Sequence, residues 1–449
     1  MNGPPKRDAG ERLSGWLYTA MLFLLLPYVA FHLLWRARRQ PEYLCHWGER
    51  FGRYHRERPP RPVIWLHAVS VGETRAAAPL VKALRAHYPE HQILLTHMTP
   101  TGRETGAQLF GENVLRCYLP YDYPFAVRRF LDHFKPDLGV LLETEIWPNL
   151  IHGCRVANVP LCLVNARLSE KSARRYARFG KLTAASLRMM SAIAAQTGDD
   201  AMRLEALGAS NVSVMGNLKF DIVPSPEFLE LGSRLRRNFG VERPIFLAAS
   251  TREGEEEKIL AAVLAVGVPG LLTVIVPRHP QRFDAVAQLM EKMGINYQRR
   301  SLDRPVGMDT AVLLGDSMGE MFAYYAACDV ALIGGSLLPY GGQNLIEACA
   351  VGKPVILGPH TYNFSEAAEQ AVAAGAAVRV ENEEALVREL QGLLYNPERC
   401  NGMGQAGLEF SLRHQGATEK VMDLLERAGL PSHPSPDKGG AGGVTSATD

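Results

Sequence analysis

Several acidic and basic side chains stand directly beyond short apolar runs, where a strand would deliver them to the edge of a sheet. Ser70-Val71-Gly72-Glu73 follows the apolar run 63–69. Ser70 and Glu73 have the spacing of a capping box, with the acid in a helix's first turn beside its dipole. A carboxylate at that place can also accept a proton from an attacking hydroxyl. Thr101-Gly102-Arg103-Glu104 repeats the spacing and reads as a helix start. Glu143-Thr144-Glu145-Ile146-Trp147-Pro148-Asn149 comes straight after the run 138–142, and two acids beside a Trp are not what packing alone requires. Asn165-Ala166-Arg167-Leu168-Ser169 adds an amide and a cation after the next run. Lys219, in Leu218-Lys219-Phe220-Asp221, lies where a first domain would hand over to a second.

The second half offers a different chemistry. Pro277-Arg278-His279-Pro280 ends an apolar run, and the planar fork of Arg278 suits paired oxygens of a phosphate or carboxylate. A solvated surface arginine accounts for the same residue. Three Gly-bearing stretches follow within fifty residues: Gly315-Asp316-Ser317-Met318-Gly319-Glu320, Gly341-Gly342-Gln343-Asn344-Leu345-Ile346-Glu347 and Gly358-Pro359-His360-Thr361-Tyr362-Asn363-Phe364. Each reads as a strand ending in a Gly-rich turn that opens a helix, which aims backbone N–H groups and a positive helix end at an anion. One such turn arises by chance; three together point to a phosphate or nucleotide cradle. Ser317 and Glu320 also have capping-box spacing.

These residues need a parallel scaffold, and the pattern supplies one. Apolar runs at 63–69, 92–98, 114–119, 138–142, 161–164, 192–195 and 212–215 alternate with helical spacing, such as 75–88, 125–134 and 201–207. Runs at 244–250 and 271–276 restart the alternation, so 221–244 reads as a linker. Strand–helix alternation of this kind means an α/β chain with parallel sheets covered on both faces. At 449 residues the chain exceeds one ordinary core, and two domains plus extras are expected. A net charge of +2 argues against a general nucleic-acid binder. Seven cysteines scattered singly suit free thiols rather than disulfides or zinc. His87 and His91 are separated by Pro89, which breaks the helix that a metal-binding pair would need.

Trp16 to Trp35 is a run of twenty residues without a formal charge. As a helix it measures about 30 Å, enough for a bilayer's hydrocarbon core. It ends in Trp-Arg-Ala-Arg-Arg, not in the small residues of a cleavage site. Residues 36–61 hold eight Arg against three Glu, which places the main body on the cytoplasmic side and against anionic head groups. Pro27 and His32 leave a tilted or half-inserted anchor open. The tail 431–449 is rich in Gly, Ser and Pro and is expected to be disordered.

Taken in order from the anchor to about residue 430, the motifs Ser70–Glu73, Glu143–Asn149, Asn165–Ser169, Leu218–Asp221, Pro277–Pro280, Gly315–Glu320, Gly341–Glu347 and Gly358–Phe364 closely resemble the 3-deoxy-D-manno-octulosonic acid (Kdo) transferase family. The resemblance implies a GT-B fold: two Rossmann-like, doubly wound domains facing a cleft, behind an N-terminal membrane-anchor helix. The implied division is an anchor at 1–40, an acceptor domain at 41–222, a donor domain at 223–430 and the tail. It implies transfer of Kdo from CMP-Kdo to the lipid A precursor, lipid IVA, at the inner membrane's cytoplasmic face, with release of CMP and no cofactor or metal. Carried over by motif, Glu73 is the proton acceptor, and Glu143 and Lys219 stabilise the transition state. Pro277, Arg278, Met318, Gly319, Glu320, Asn344, Leu345, Ile346 and Glu347 line the CMP site. Gln343 stands where the family commonly has His, which bears on fine donor contacts. Inversion by a single displacement needs one base, unlike the paired carboxylates of a retaining glycosidase. The nearest alternative is a GT-B enzyme using a UDP-sugar; a catalytically dead lipid A precursor binder is the alternative outside the enzymes.

Overall fold

The computed structural model describes residues 8–38 and 40–430, so the tail expected to be disordered lies outside the described residues. Two compact units share the chain: residues up to Leu218 together with those from Gly416 onward, and Lys219–Gln415.

The first unit holds β1 (Val63–His67), β2 (Gln92–His97), β3 (Leu115–Tyr118), β4 (Leu138–Leu142), β5 (Leu161–Ala166), β6 (Ala192–Ala195) and β7 (Val212–Val214). They form one sheet in the order β3-β2-β1-β4-β5-β6-β7, with all pairings parallel. Strand periodicity sends alternate side chains to opposite faces. Thus Val63 and Trp65 join Leu94, Leu141 and Leu163 in one core, while Ile64 and Leu66 join Leu95, Val140 and Leu142 in the other. Trp65 is fully buried and meets Phe130 edge-on at 4.9 Å. Truncating such a residue costs about 3–5 kcal/mol.

The second unit holds β8 (Ile245–Thr251), β9 (Leu272–Pro277), β10 (Tyr297–Arg299), β11 (Val312–Leu314), β12 (Val330–Ile333), β13 (Val355–Leu357) and β14 (Ala377–Arg379). Their order is β10-β11-β9-β8-β12-β13-β14, again with parallel pairings. All seven cysteines are free.

Three elements differ from the sequence reading. The stretch 221–244 is not a bare linker: it contains the helix Pro226–Phe239, whose Leu235 and Phe239 enter the second unit's core. Leu231, Leu235 and Phe239 repeat every four residues, a helical stripe masked by the flanking charges. The helix Ala417–Ala428, expected in the second domain, returns to the first unit, where Val421, Met422 and Leu425 pack with Leu80, Leu84 and Ala194. An amphipathic pattern shows that a helix buries a face, not which sheet it covers. The expected helix 75–88 is split at Ala77 into Val71–Ala76 and Ala78–His87, with Pro79 opening the second.

The N-terminal helix runs from Ala9 to Ala37 behind a complete capping box of Asp8 and Glu11. It is long and apolar enough to cross a membrane, with a mean hydropathy of 1.9 over its best window. Trp16, Leu24, Tyr28 and Phe31 are exposed on it. Other residues engage the first unit: Tyr18 Oη donates to Asp122, Thr19 Oγ1 to Asn149, and the Leu22 carbonyl accepts from Tyr123 Oη. Glu11 pairs with Arg188.

Candidate active site

In the first unit the strand order reverses between β1 and β4, the topological switch point at which open α/β sheets place their ligands. The turn after β1 carries Glu73. Ser70 caps the helix Val71–Ala76, as its spacing suggested. The reciprocal half of the box is displaced by one residue: Glu73 Oε2 accepts from Val69 N at 2.6 Å and Oε1 from Ser70 Oγ at 3.0 Å. Glu73 keeps only 8% of its surface exposed. Its carboxylate is therefore held in one orientation by the chain it caps. The expected cap at Thr101 falls two residues earlier instead, on Thr99, with Pro100 at the first helical position.

The turn after β4 brings the acidic motif beside Glu73. Glu143 adopts φ +60°, a conformation that costs a non-glycine residue on the order of 1 kcal/mol and that clusters at functional sites. Trp147 Nε1 donates to Glu145 Oε2 at 2.6 Å. Burial first, then the charges of Glu73 and Glu143, push the Glu145 carboxyl up to about 7, against the pull of the Trp147 bond. The three acids thus form one electrostatic group. Asn165, after β5, is also left-handed at φ +54°; its Oδ1 accepts from Leu218 N at 3.0 Å and its Nδ2 is buried without a partner. Thr144 Oγ1 donates to the Arg167 carbonyl, joining the two strand exits.

Sequence reasoning missed the residues behind this edge. His97 Nδ1 lies 2.9 Å from the Ala68 carbonyl and 3.4 Å from Thr74 Oγ1. Burial above all drives His97 down to about 4 and His67 to about 3, so both rings are neutral supports under the Glu73 turn. Within an apolar strand a lone histidine carries no signal that separates it from packing.

In the second unit, adjacent strands β11, β9, β8, β12 and β13 deliver the predicted donor residues to one sheet edge. Ser250 adopts φ +57°, at a register shift between Ala249 and Thr251. Arg278 N donates to the Thr251 carbonyl at 3.0 Å. Arg252 Nη1 lies 2.9 Å from His279 Nε2; burial, then the charges of Arg252, Arg278 and Arg282, hold His279 below its ordinary value. Arg252, Arg278 and Arg282 bring positive charge to this edge, Arg282 also pairing with Glu253 and Glu256. Beyond β12, Gly334 is required: a Cβ there would come within 2.5 Å of the Ser250 carbonyl oxygen.

The remaining predicted residues divide by exposure. Met318 is exposed and Gly319 has φ +82°, while Glu320 accepts from Ser317 Oγ at 2.7 Å and pairs with Arg300 at 3.3 Å. Asn344 Nδ2 donates to Glu347 Oε1 at 3.2 Å. Leu345 and Ile346 are buried in the core, and Pro277 closes β9, also buried. Lys219 Nζ lies 5.8 Å from the Phe364 ring centroid. The Gly-rich turns do not open helices directly, contrary to expectation. Helices begin at Met321, Ile346 and Ser365, several residues beyond their strands, and Glu320 rather than Ser317 occupies the cap before Met321. Among the described residues no group of three or more His, Cys, Asp or Glu could hold a metal ion.

Two doubly wound parallel sheets in one chain, with charged turns at their carboxyl edges, are the GT-B architecture. Solved structures agree at the level of fold: MurG of Acinetobacter baumannii is similar with a TM-score of 0.52 at 13% identity, over 82% of this chain and 100% of that one. A UDP-GlcNAc 2-epimerase from Neisseria meningitidis reaches 0.54 at 17% identity, over 81% and 99%. Residues 45–222 match the family model described as 3-deoxy-D-manno-octulosonic-acid transferase (kdotransferase), and residues 294–410 match glycosyl transferases group 1. The 3-deoxy-D-manno-octulosonic acid transferase of Bordetella pertussis is 43% identical, over 91% of this chain and 98% of that protein. That of Haemophilus influenzae is 39% identical, over 91% and 97%. The chain belongs to the 3-deoxy-D-manno-octulosonic acid transferase family.

Proposed function

We propose that the protein transfers Kdo from CMP-Kdo to lipid IVA, with Glu73 as the base. The acceptor hydroxyl gives its proton to Glu73 as its oxygen bonds the anomeric carbon, and CMP departs with the electrons of the broken C–O bond. Val69 N–H orients the carboxylate; Ser70 Oγ, a rotatable partner, can yield its place to the incoming hydroxyl. Glu143 and Lys219 stabilise charge that develops in the transition state. The Arg278 turn, Met318–Glu320 and Asn344–Glu347 hold the cytidylate; Leu345 and Ile346, with side chains in the core, contribute backbone. A phosphodiester's single charge suits the electropositive β9 edge without a metal.

The exposed apolar residues of the N-terminal helix enter the membrane while its polar contacts stay on the first unit, so it lies in the interface rather than standing across it. The Arg-rich stretch 36–61 adds attraction to anionic head groups at the cytoplasmic face of the inner membrane. The observation that carries this reading is the gathering of Glu73, Glu143 and Glu145 at the switch point of a chain from this family. The test is mass spectrometry of lipid IVA after incubation with CMP-Kdo. The expected product is heavier by one or more Kdo units, and it is lost in Glu73→Gln; a product made only with a UDP-sugar would overturn the proposal.

A further inference from the structure

We propose that Asp122 is a positioning residue for the acidic loop 143–149, and that the N-terminal helix is part of the same brace. The inference rests on the reading of that loop as catalytic. The helix Pro148–Val156 follows the loop, and its N-cap, Trp147, makes no side-chain cap bond. Its first N–H groups would be orphaned in a buried place. Asp122, from the segment between β3 and the helix Pro124–Phe134, supplies the missing cap: Oδ1 accepts from Leu150 N at 2.7 Å and Oδ2 from Asn149 N at 3.0 Å. The Asp122 carbonyl takes Asn149 Nδ2 at 2.7 Å. Asp122 itself is 4% exposed, so these bonds are made away from competing water.

The same two residues are gripped from the other side by the membrane segment. Tyr18 Oη donates to Asp122 Oδ2 at 2.9 Å, and Thr19 Oγ1 to Asn149 Oδ1 at 3.0 Å. Tyr18 and Thr19 are polar residues in a largely apolar run. Their partners show their use. Asn149, the last residue of the acidic motif, is held between the N-terminal helix and Asp122. Two residues before it stands Trp147, whose indole holds Glu145 at 2.6 Å. An unbroken chain of contacts therefore runs from the lipid-facing helix to the acids beside Glu73.

The test uses the full-length chain in anionic phospholipid vesicles, with Tyr18→Phe plus Thr19→Val, and separately Asp122→Asn. Three quantities are measured: kcat and the KM for CMP-Kdo, hydrogen exchange of the backbone amides of 147–151, and vesicle flotation. The expected result is about a tenfold fall in kcat, an unchanged KM and flotation, and about tenfold faster exchange at 147–151, as befits one or two lost hydrogen bonds. Should Asp122→Asn not fold, Tyr18→Phe removes a single hydroxyl and carries the same prediction at smaller size. Unaltered exchange would overturn the brace. Faster exchange with an intact kcat would overturn the positioning role, and Glu143→Gln then separates the causes: an inactive Glu143→Gln limits the failure to Asp122, whereas an active one removes the loop from catalysis.

Discussion

Glu73 and Glu255 occupy matching places in the two units, and their surroundings differ. Each lies in the first turn of the helix that follows its unit's opening strand, β1 or β8. Each strand borders the switch point of its sheet. Glu255 is completely buried and accepts from Arg252 N at 2.9 Å, Gly335 N at 2.6 Å and Leu337 N at 3.0 Å. Glu73 accepts from Val69 N and from the Ser70 hydroxyl. The neighbouring strand exit makes the difference. Beyond β12 comes a glycine-containing loop whose N–H groups converge on Glu255; beyond β4 come Glu143 and Glu145, which offer charge instead of donors. A carboxylate ringed by backbone amides is a strut, whereas one set among other carboxylates sits in an electrostatic setting of a different kind.

The largest test of that contrast is Glu73→Gln. Transfer should fall by about 10²–10⁴-fold, the usual worth of a general base, with the thermal midpoint nearly unmoved; a midpoint drop matching the rate loss would make Glu73 a strut too. Glu255→Gln should do the reverse, since an amide turns N–H donors toward N–H donors. Chemical denaturation should show a loss of about 3 kcal/mol, and a fully stable variant would break the comparison.

Glu145→Gln probes the acid cluster by pH. Glu145 is raised in the folded state to about 7 from 4.5, so the protein binds more protons folded than unfolded around this group. Its contribution is present below about 4.5 and lost as pH rises through about 7. Between pH 5 and 8 the wild type should therefore lose up to about 3 kcal/mol more stability than Glu145→Gln. Parallel pH profiles for the two proteins would show that Glu145 is not under pressure from its neighbours. The smallest effect is expected from Ser250→Gly, which relieves φ +57° in the second unit. A gain of up to about 1 kcal/mol without loss of CMP-Kdo binding would mark that strain as dispensable.

Much of this protein was legible in one dimension. The expected strands of the first unit coincide with β1 to β7 to within two residues, and the motif turns at Glu73, Glu143, Arg278 and Met318–Glu320 do stand at carboxyl edges. Strand alternation and caps depend on neighbours two to four positions away, so the sequence contains them. The linker that became the helix Pro226–Phe239 was legible too, through its stripe of Leu and Phe, but charge concealed it.

The employment of each carboxylate was not legible. Glu255 became a strut because residues 80 and 82 positions later bring N–H groups to it, and Asp122 became a cap because N–H groups 27 and 28 positions later turn to it. The last helix likewise chose the first sheet over the second. Residue types and periods set by near neighbours are written along the chain. Whether a buried acid meets donors, other acids or the N-terminal helix is decided by contacts far apart in sequence, which exist only once the tertiary structure has closed around them.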